Sequence, residues 1–144
     1  MYASLHCHVV FSTKDRLPTI TSATRKQLHD YLGGTIRGLG AFPETMGGVD
    51  DHVHLLFGFK PVQSIAEIVR ETKKSTTAWA REHINPGFAW QEGYAVFGVS
   101  ASAIDSVKHY IETQEEHHRK TNYLDELRNL LREAKVPFDE KYLA

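Results

Sequence analysis

The residues best suited to chemistry are histidines two apart and a tyrosine four residues before a glutamine. His52-Val53-His54 opens the apolar run HVHLLFGF, and His6-Cys7-His8 repeats the spacing earlier in the chain. On a strand, residues i and i+2 share a face and lie roughly 6.5–7 Å apart, so either pair can bring two imidazoles to one ion. Nine histidines in 144 residues give about 0.5 such pairs by chance, so both also fit as polar residues on a sheet face. Tyr110 and Gln114 stand i, i+4 and share a helical face, with His117 and His118 a turn further. Six tyrosines and four glutamines give that pattern about 0.17 times by chance, and packing beside Val107 and Ile111 is the plain alternative for Tyr110.

Two strand histidines and a side-chain oxygen from a facing helix would make a three-ligand site with open positions. Mixed nitrogen and oxygen donors suit Mg²⁺, Mn²⁺ or another first-row metal, and no cysteine ligand points to a closed structural zinc site. Such an ion acts as a Lewis acid on a phosphoryl oxygen. A tyrosine beside it could attack the phosphorus, although a phenol with an ordinary pKa near 10 needs a base or a positive field first. Two other readings use the same residues: a non-catalytic binding module, and a metal-dependent hydrolase in which Tyr110 is a bystander.

The elements that must position these residues follow from periodicity. Residues 2–13 alternate as a strand, and Leu28, Tyr31, Leu32, Ile36 and Leu39 give a helix from about 21 to 39, ended by Gly38 and Gly40. A second strand is expected over 41–46, a turn at Gly47-Gly48 and Asp50, and a third strand over 52–59. Ser64 with Glu67 is a capping-box pattern opening a helix to about His83. A fourth strand over about 93–100 precedes a helix from Ser102 to about Lys120, then a shorter one carrying Leu124, Leu127, Leu130 and Leu131 and stopped by Pro137. The order β-α-β-β-α-β predicts an α+β, ferredoxin-like or RRM-like antiparallel sheet, with C-terminal helices carrying the tyrosine. One domain, 1–144, with residues from about 102 onward as a helical appendage, is the simplest partition.

Composition is ordinary for a globular chain, with 41% hydrophobic and 24% charged residues. The single cysteine, Cys7, cannot form an internal disulfide, no window reads as a membrane span, and no leader is expected, so the chain reads as cytoplasmic. A net charge of −1 excludes a bulk polycation but hides an asymmetry. Residues 1–81 carry ten basic against seven acidic side chains, whereas 82–144 carry seven against eleven. Arg70, Lys73, Lys74 and Arg81 form a basic face on the second helix, suited either to phosphates or to solvent. Trp79 and Trp90 are expected in the core.

Several ordered stretches resemble the HUH-type single-tyrosine transposases of small bacterial insertion sequences, the IS two-hundred type, and their palindrome-associated relatives. They are His8-Val9-Val10-Phe11-Ser12-Thr13-Lys14, Asp51-His52-Val53-His54-Leu55-Leu56, Trp90-Gln91-Glu92-Gly93-Tyr94, and Tyr110 through Lys120. The resemblance implies His52, His54 and Gln114 as ligands of Mg²⁺ or Mn²⁺. It makes Tyr110 the nucleophile that cuts single-stranded DNA, leaving a 5′-phosphotyrosine and a free 3′-hydroxyl for later rejoining. It also implies a homodimer, in which one subunit's tyrosine helix can complete the other's metal site, acting on hairpin-forming element ends at the nucleoid. Lys14, Arg16, Arg70, Lys73 and Lys74 are then the expected DNA contacts, and His8, Asp51 and His118 the residues that support the ligands. Asp15 stands between Lys14 and Arg16, where the family often has an aromatic residue.

Overall fold

The computed structural model describes residues 1–143. Four strands, β1 (His6–Ser12), β2 (Phe42–Gly48), β3 (His52–Gly58) and β4 (Ala95–Val99), form one antiparallel sheet in the order β2-β3-β1-β4. Helices α1 (Ser22–Gly38) and α2 (Ile65–His83) fill the two crossovers, so the expected ferredoxin-like topology is present. Strand β1 begins at His6, not at residue 2, because its partners run out: His6 pairs with Gly58 on one side and Val99 on the other.

Both sheet faces are covered, which the alternating pattern of β1 did not suggest. Cys7, Val9, Phe11, Val53, Leu55 and Phe57 pack against Leu28, Leu32 and Ile36 of α1 and Ile68, Val69 and Ala80 of α2. The opposite face is covered by α3 (Ile104–Glu112), through Ile111 on Leu56 and Val99, and by α5 (Tyr123–Glu133), whose Tyr123, Leu127 and Leu131 pack on Val10. All seven residues of β3 are therefore buried, as a strand between two layers must be. Asn122 caps α5 by accepting from the Asp125 amide at 2.9 Å.

Two sequence expectations change here. Gly47 and Gly48 are not in the turn but in β2, opposite His54 and Val53; the chain reverses over 49–51 instead. The reason is the close approach of α3: a Cβ on Gly47 would lie 2.3 Å from the Ile111 carbonyl oxygen. Gly47 thus lets the residue next to Tyr110 sit directly on the sheet. Gly47→Ala must push α3 outward, and we expect a loss of about 1–3 kcal/mol in urea unfolding. An alanine variant with wild-type stability would contradict this close approach.

The second change is in the tyrosine helix. The expected run from Ser102 to Lys120 opens with a 3-10 turn, Ala101–Ala103, and breaks at Thr113 (φ −104°, ψ 22°), separating α3 from the short α4 (Gln114–His117). The Thr113 hydroxyl donates to the carbonyls of His109 (2.9 Å) and Tyr110 (3.3 Å), a side-chain alternative to the regular helical ladder.

On α1, His29 is largely buried with its Nε2 unpartnered, and burial, then the nearby Arg25 charge, pushes its pKa down to about 4. The folded value lies below the unfolded one near 6.5. As pH falls, the unfolded chain takes the proton first, so stability is lost between about 6.5 and 4. His29→Leu should flatten this acid limb by up to about 3 kcal/mol, read from urea midpoints at pH 7 and pH 4.5; an unchanged limb would refute the assignment.

Candidate metal and tyrosine site

The register of β1 against β3 places Ser12 opposite His52, Val10 opposite His54 and His8 opposite Leu56, so His52, His54 and His8 share the sheet face under α3 and α5. Glu126 reaches this face from the first turns of α5. It is 1% exposed, and its Oε1 lies 3.1 Å from His52 Nε2, 3.0 Å from His54 Nε2 and 3.0 Å from His118 Nε2. Three imidazoles thus converge on one carboxylate oxygen, with the four ligand atoms all within 4.8 Å of one another.

The other nitrogen of each imidazole is also engaged. His52 Nδ1 lies 2.7 Å from Asp51 Oδ1, His54 Nδ1 lies 2.7 Å from His8 Nε2, and His118 Nδ1 lies 2.6 Å from the Thr121 carbonyl oxygen. When each Nδ1 carries its proton outward, the three Nε2 lone pairs point at the common centre, the arrangement typical of metal-bound histidine. Donor types and outer partners both fit a divalent ion. Asp51 and His8 stand behind the ligands, whereas His118, expected to support them, itself faces the centre.

Gln114 is buried beside this group rather than within it. Its Oε1 lies 3.1 Å from His52 Nε2, and its Nε2 donates to Glu126 Oε2 at 2.8 Å. The Tyr110 hydroxyl donates to the same Glu126 Oε2. The half-exposed His117 stands 3.6 Å from that oxygen, with its ring 5.4 Å from the Tyr110 ring. Tyr110 and His117 are thus partly exposed side chains standing against the buried cluster. Tyrosine and histidines meet within one chain, so this arrangement does not need a second subunit's helix.

Electrostatics bind the group together. Burial raises the Glu126 pKa, but hydrogen bonds from His118, His52 and His54 outweigh it and hold the carboxyl far below its usual range. Burial alone would lower His52, yet Asp51 and Glu126 lift it to about 9. Burial pushes His54 down, and takes His8 down to about 3 with help from His54. Burial and then the Glu126 charge hold the Tyr110 phenol above its ordinary value. Without a metal, a protonated His52 offsets the Glu126 charge; a bound cation would displace that proton.

Glu126 carries no signal in the sequence motifs: it is 72 residues from His54 and lies on a leucine-patterned helix. His6 stays outside the cluster, its ring 3.2 Å from where a Cβ on Gly58 would be. Of the expected DNA contacts, Lys14 and Arg16 are exposed on a 3-10 turn (Lys14–Arg16) after β1, with Asp15 and Arg16 at φ 56° and 54°. Arg70 and Lys74 are exposed on α2, on the opposite layer from the cluster. Lys73 differs from its expected role: its ammonium donates to the carbonyls of Gln91 (2.9 Å) and Gly93 (2.5 Å) and sits 4.9 Å from the centre of the Phe11 ring. That side chain pins segment 91–93 to α2 and is not free for phosphate. Trp90 meets Phe11 and Phe88 edge-on, as a core residue does, while Trp79 stacks between Tyr31 and His83.

Comparison with known proteins gives a consistent picture. The family described as "Transposase IS200 like" matches residues 1–114. The ISDra2 transposase TnpA of Deinococcus radiodurans is 26% identical over 117 residues, covering 76% of this chain and 84% of that protein. A crystal structure assigned to a transposase from the same organism superimposes with a TM-score of 0.66 at 24% identity, covering 79% of this chain and 93% of the other. A REP-associated tyrosine transposase bound to a REP hairpin superimposes at 0.61 with 15% identity, over 82% of this chain and 71% of the other. The family match stops before His117, His118 and Glu126. No helix among the described residues is long and apolar enough to cross a membrane.

Proposed function

Because the chain belongs to the IS200-like transposase family and is a DNA strand cleavage and transfer enzyme, we propose that it cuts single-stranded DNA by covalent attack of Tyr110. One observation carries this reading: the Tyr110 hydroxyl is hydrogen-bonded to the carboxylate on which His52, His54 and His118 converge. A nucleophilic oxygen and a cation-binding cluster therefore meet at one carboxylate.

His52, His54, His118 and Glu126 would hold the divalent ion, with the Gln114 carbonyl oxygen beside His52 as a further donor. Three imidazoles favour Mn²⁺ over Mg²⁺, which prefers oxygen donors. When bound, the ion supplies positive charge to a phosphoryl oxygen. The phenolic proton would leave to solvent along the bond it makes to Glu126 Oε2 as Tyr110 Oη bonds to phosphorus; the bond to the 3′-oxygen breaks and that oxygen takes up a proton. The products are a 5′-phosphotyrosine and a free 3′-hydroxyl. In rejoining, a 3′-hydroxyl attacks the phosphotyrosine and Tyr110 leaves, regaining its proton. Lys14, Arg16, Arg70 and Lys74 are assigned to backbone phosphates. Hairpin-forming element ends are the assigned substrate, a homodimer the working assembly, and the nucleoid in the cytoplasm the place of action.

The test is a covalent adduct. Incubated with Mn²⁺ and 3′-radiolabelled single-stranded oligonucleotides from the palindromes flanking its gene, the protein should retain label through denaturing electrophoresis. Cleavage that leaves no label on the protein would replace the tyrosine mechanism with hydrolysis.

A further inference from the structure

A cavity of about 400 Å³ lies between β4, segment 91–94 and α5, within the range of pockets that take small ligands. Its aromatic walls include Tyr94, Phe97 and Tyr123. On one wall Ser12 is only 1% exposed, and its hydroxyl has no hydrogen-bond partner. A buried hydroxyl left alone is costly, so its presence points to a partner supplied from outside. Glu92 adds an acceptor, and no lysine or arginine is among the described lining residues. Lys73, behind segment 91–93, is bonded to the Gln91 and Gly93 carbonyls, and the Arg16 charge reaches Tyr123 only from outside the lining. Stacking faces, an orphan hydroxyl and a carboxylate on a wall with no basic side chain among the described lining residues suit a nucleobase rather than a phosphate.

The cavity touches the tyrosine site from two sides. Ser12 lies directly across the sheet from His52, and the Tyr123 ring is 4.6 Å from the His52 ring. The Phe97 ring is 5.9 Å from His8, whose ring is 6.3 Å from Tyr110. We propose that this cavity holds one nucleobase of the single-stranded DNA, within a nucleotide or two of the phosphodiester that Tyr110 attacks. It deepens the reading above and rests on it. Ser12 and Glu92 then read the base edge, and Glu92, as an acceptor, selects bases with an exocyclic amino group over thymine.

The test uses the full chain and an oligonucleotide that it cuts, with a single abasic site walked across the cleavage position. One position beside the cut should lose affinity about tenfold when abasic, measured by fluorescence anisotropy without divalent ion, and thymine there should behave nearly as badly. Ser12→Ala and Tyr94→Ala should each shrink that penalty; Tyr94 is 40% exposed, so its variant keeps the fold if Ser12→Ala does not. Equal tolerance at every position, or a penalty unchanged in the folded variants, overturns the pocket alone. A protein that cuts no single-stranded DNA overturns the functional reading and the pocket together.

Discussion

Tyr110→Phe should abolish the protein–DNA adduct and lower strand cleavage by roughly 10³-fold or more, since no other group supplies the covalent bond. The substitution removes one oxygen and keeps the ring between His54 and His117. Glu126 Oε2 retains the Gln114 amide as a donor, so its loss is one charge-assisted hydrogen bond. That costs about 1.5–3 kcal/mol, which a folded domain of this size survives. Binding to the uncut oligonucleotide should therefore persist while chemistry stops. An adduct in the phenylalanine variant would place the nucleophile elsewhere, and binding lost along with cleavage would make Tyr110 a packing residue.

Glu126→Gln has the second large effect, and it is read without DNA. In the metal-free protein the buried carboxylate is the common partner of three imidazoles and the phenol. Removing one partner from a buried charged group costs about 3–5 kcal/mol, which for this length corresponds to a fall in Tm of about 10 °C. The His52 pKa, lifted to about 9 by Asp51 and Glu126, should drop as well, visible in its imidazole NMR titration. With the fourth donor gone, the Mn²⁺-induced rise in Tm should need at least about tenfold more ion. The exposed Glu82→Gln serves as control. A Glu126→Gln protein with unchanged Tm and unchanged ion dependence would show that the carboxylate neither holds the cluster nor joins it.

Much of the site was legible because its signals are local. The i, i+2 spacing of His52 and His54 fixes their common face wherever the strand lies, and Asp51 precedes them by one residue. The pairing of Tyr110 with Gln114 survives the break at Thr113, since the break leaves both on the side facing α5. The capping pattern at Ser64 and the order of strands and helices gave the ferredoxin-like topology, whose crossovers require no long-range information. Lys73 misled because charge at helical spacing reads as a solvated or phosphate-binding face; only the neighbouring carbonyls of segment 91–93 reveal that its ammonium is already used.

Sequence alone thus determined the strand histidines, the tyrosine and the sheet that presents them, because strand and helix periods place side chains on faces within a few residues. Tertiary structure decided which of the nine histidines meet and what they meet. His118 and Glu126 join His52 and His54 because Tyr123, Leu127 and Leu131 dock α5 on Val10, and Gly47 admits α3 alongside. That convergence joins residues 72 apart through packing of two layers on one sheet face, and no local period records where a distant helix will come to rest.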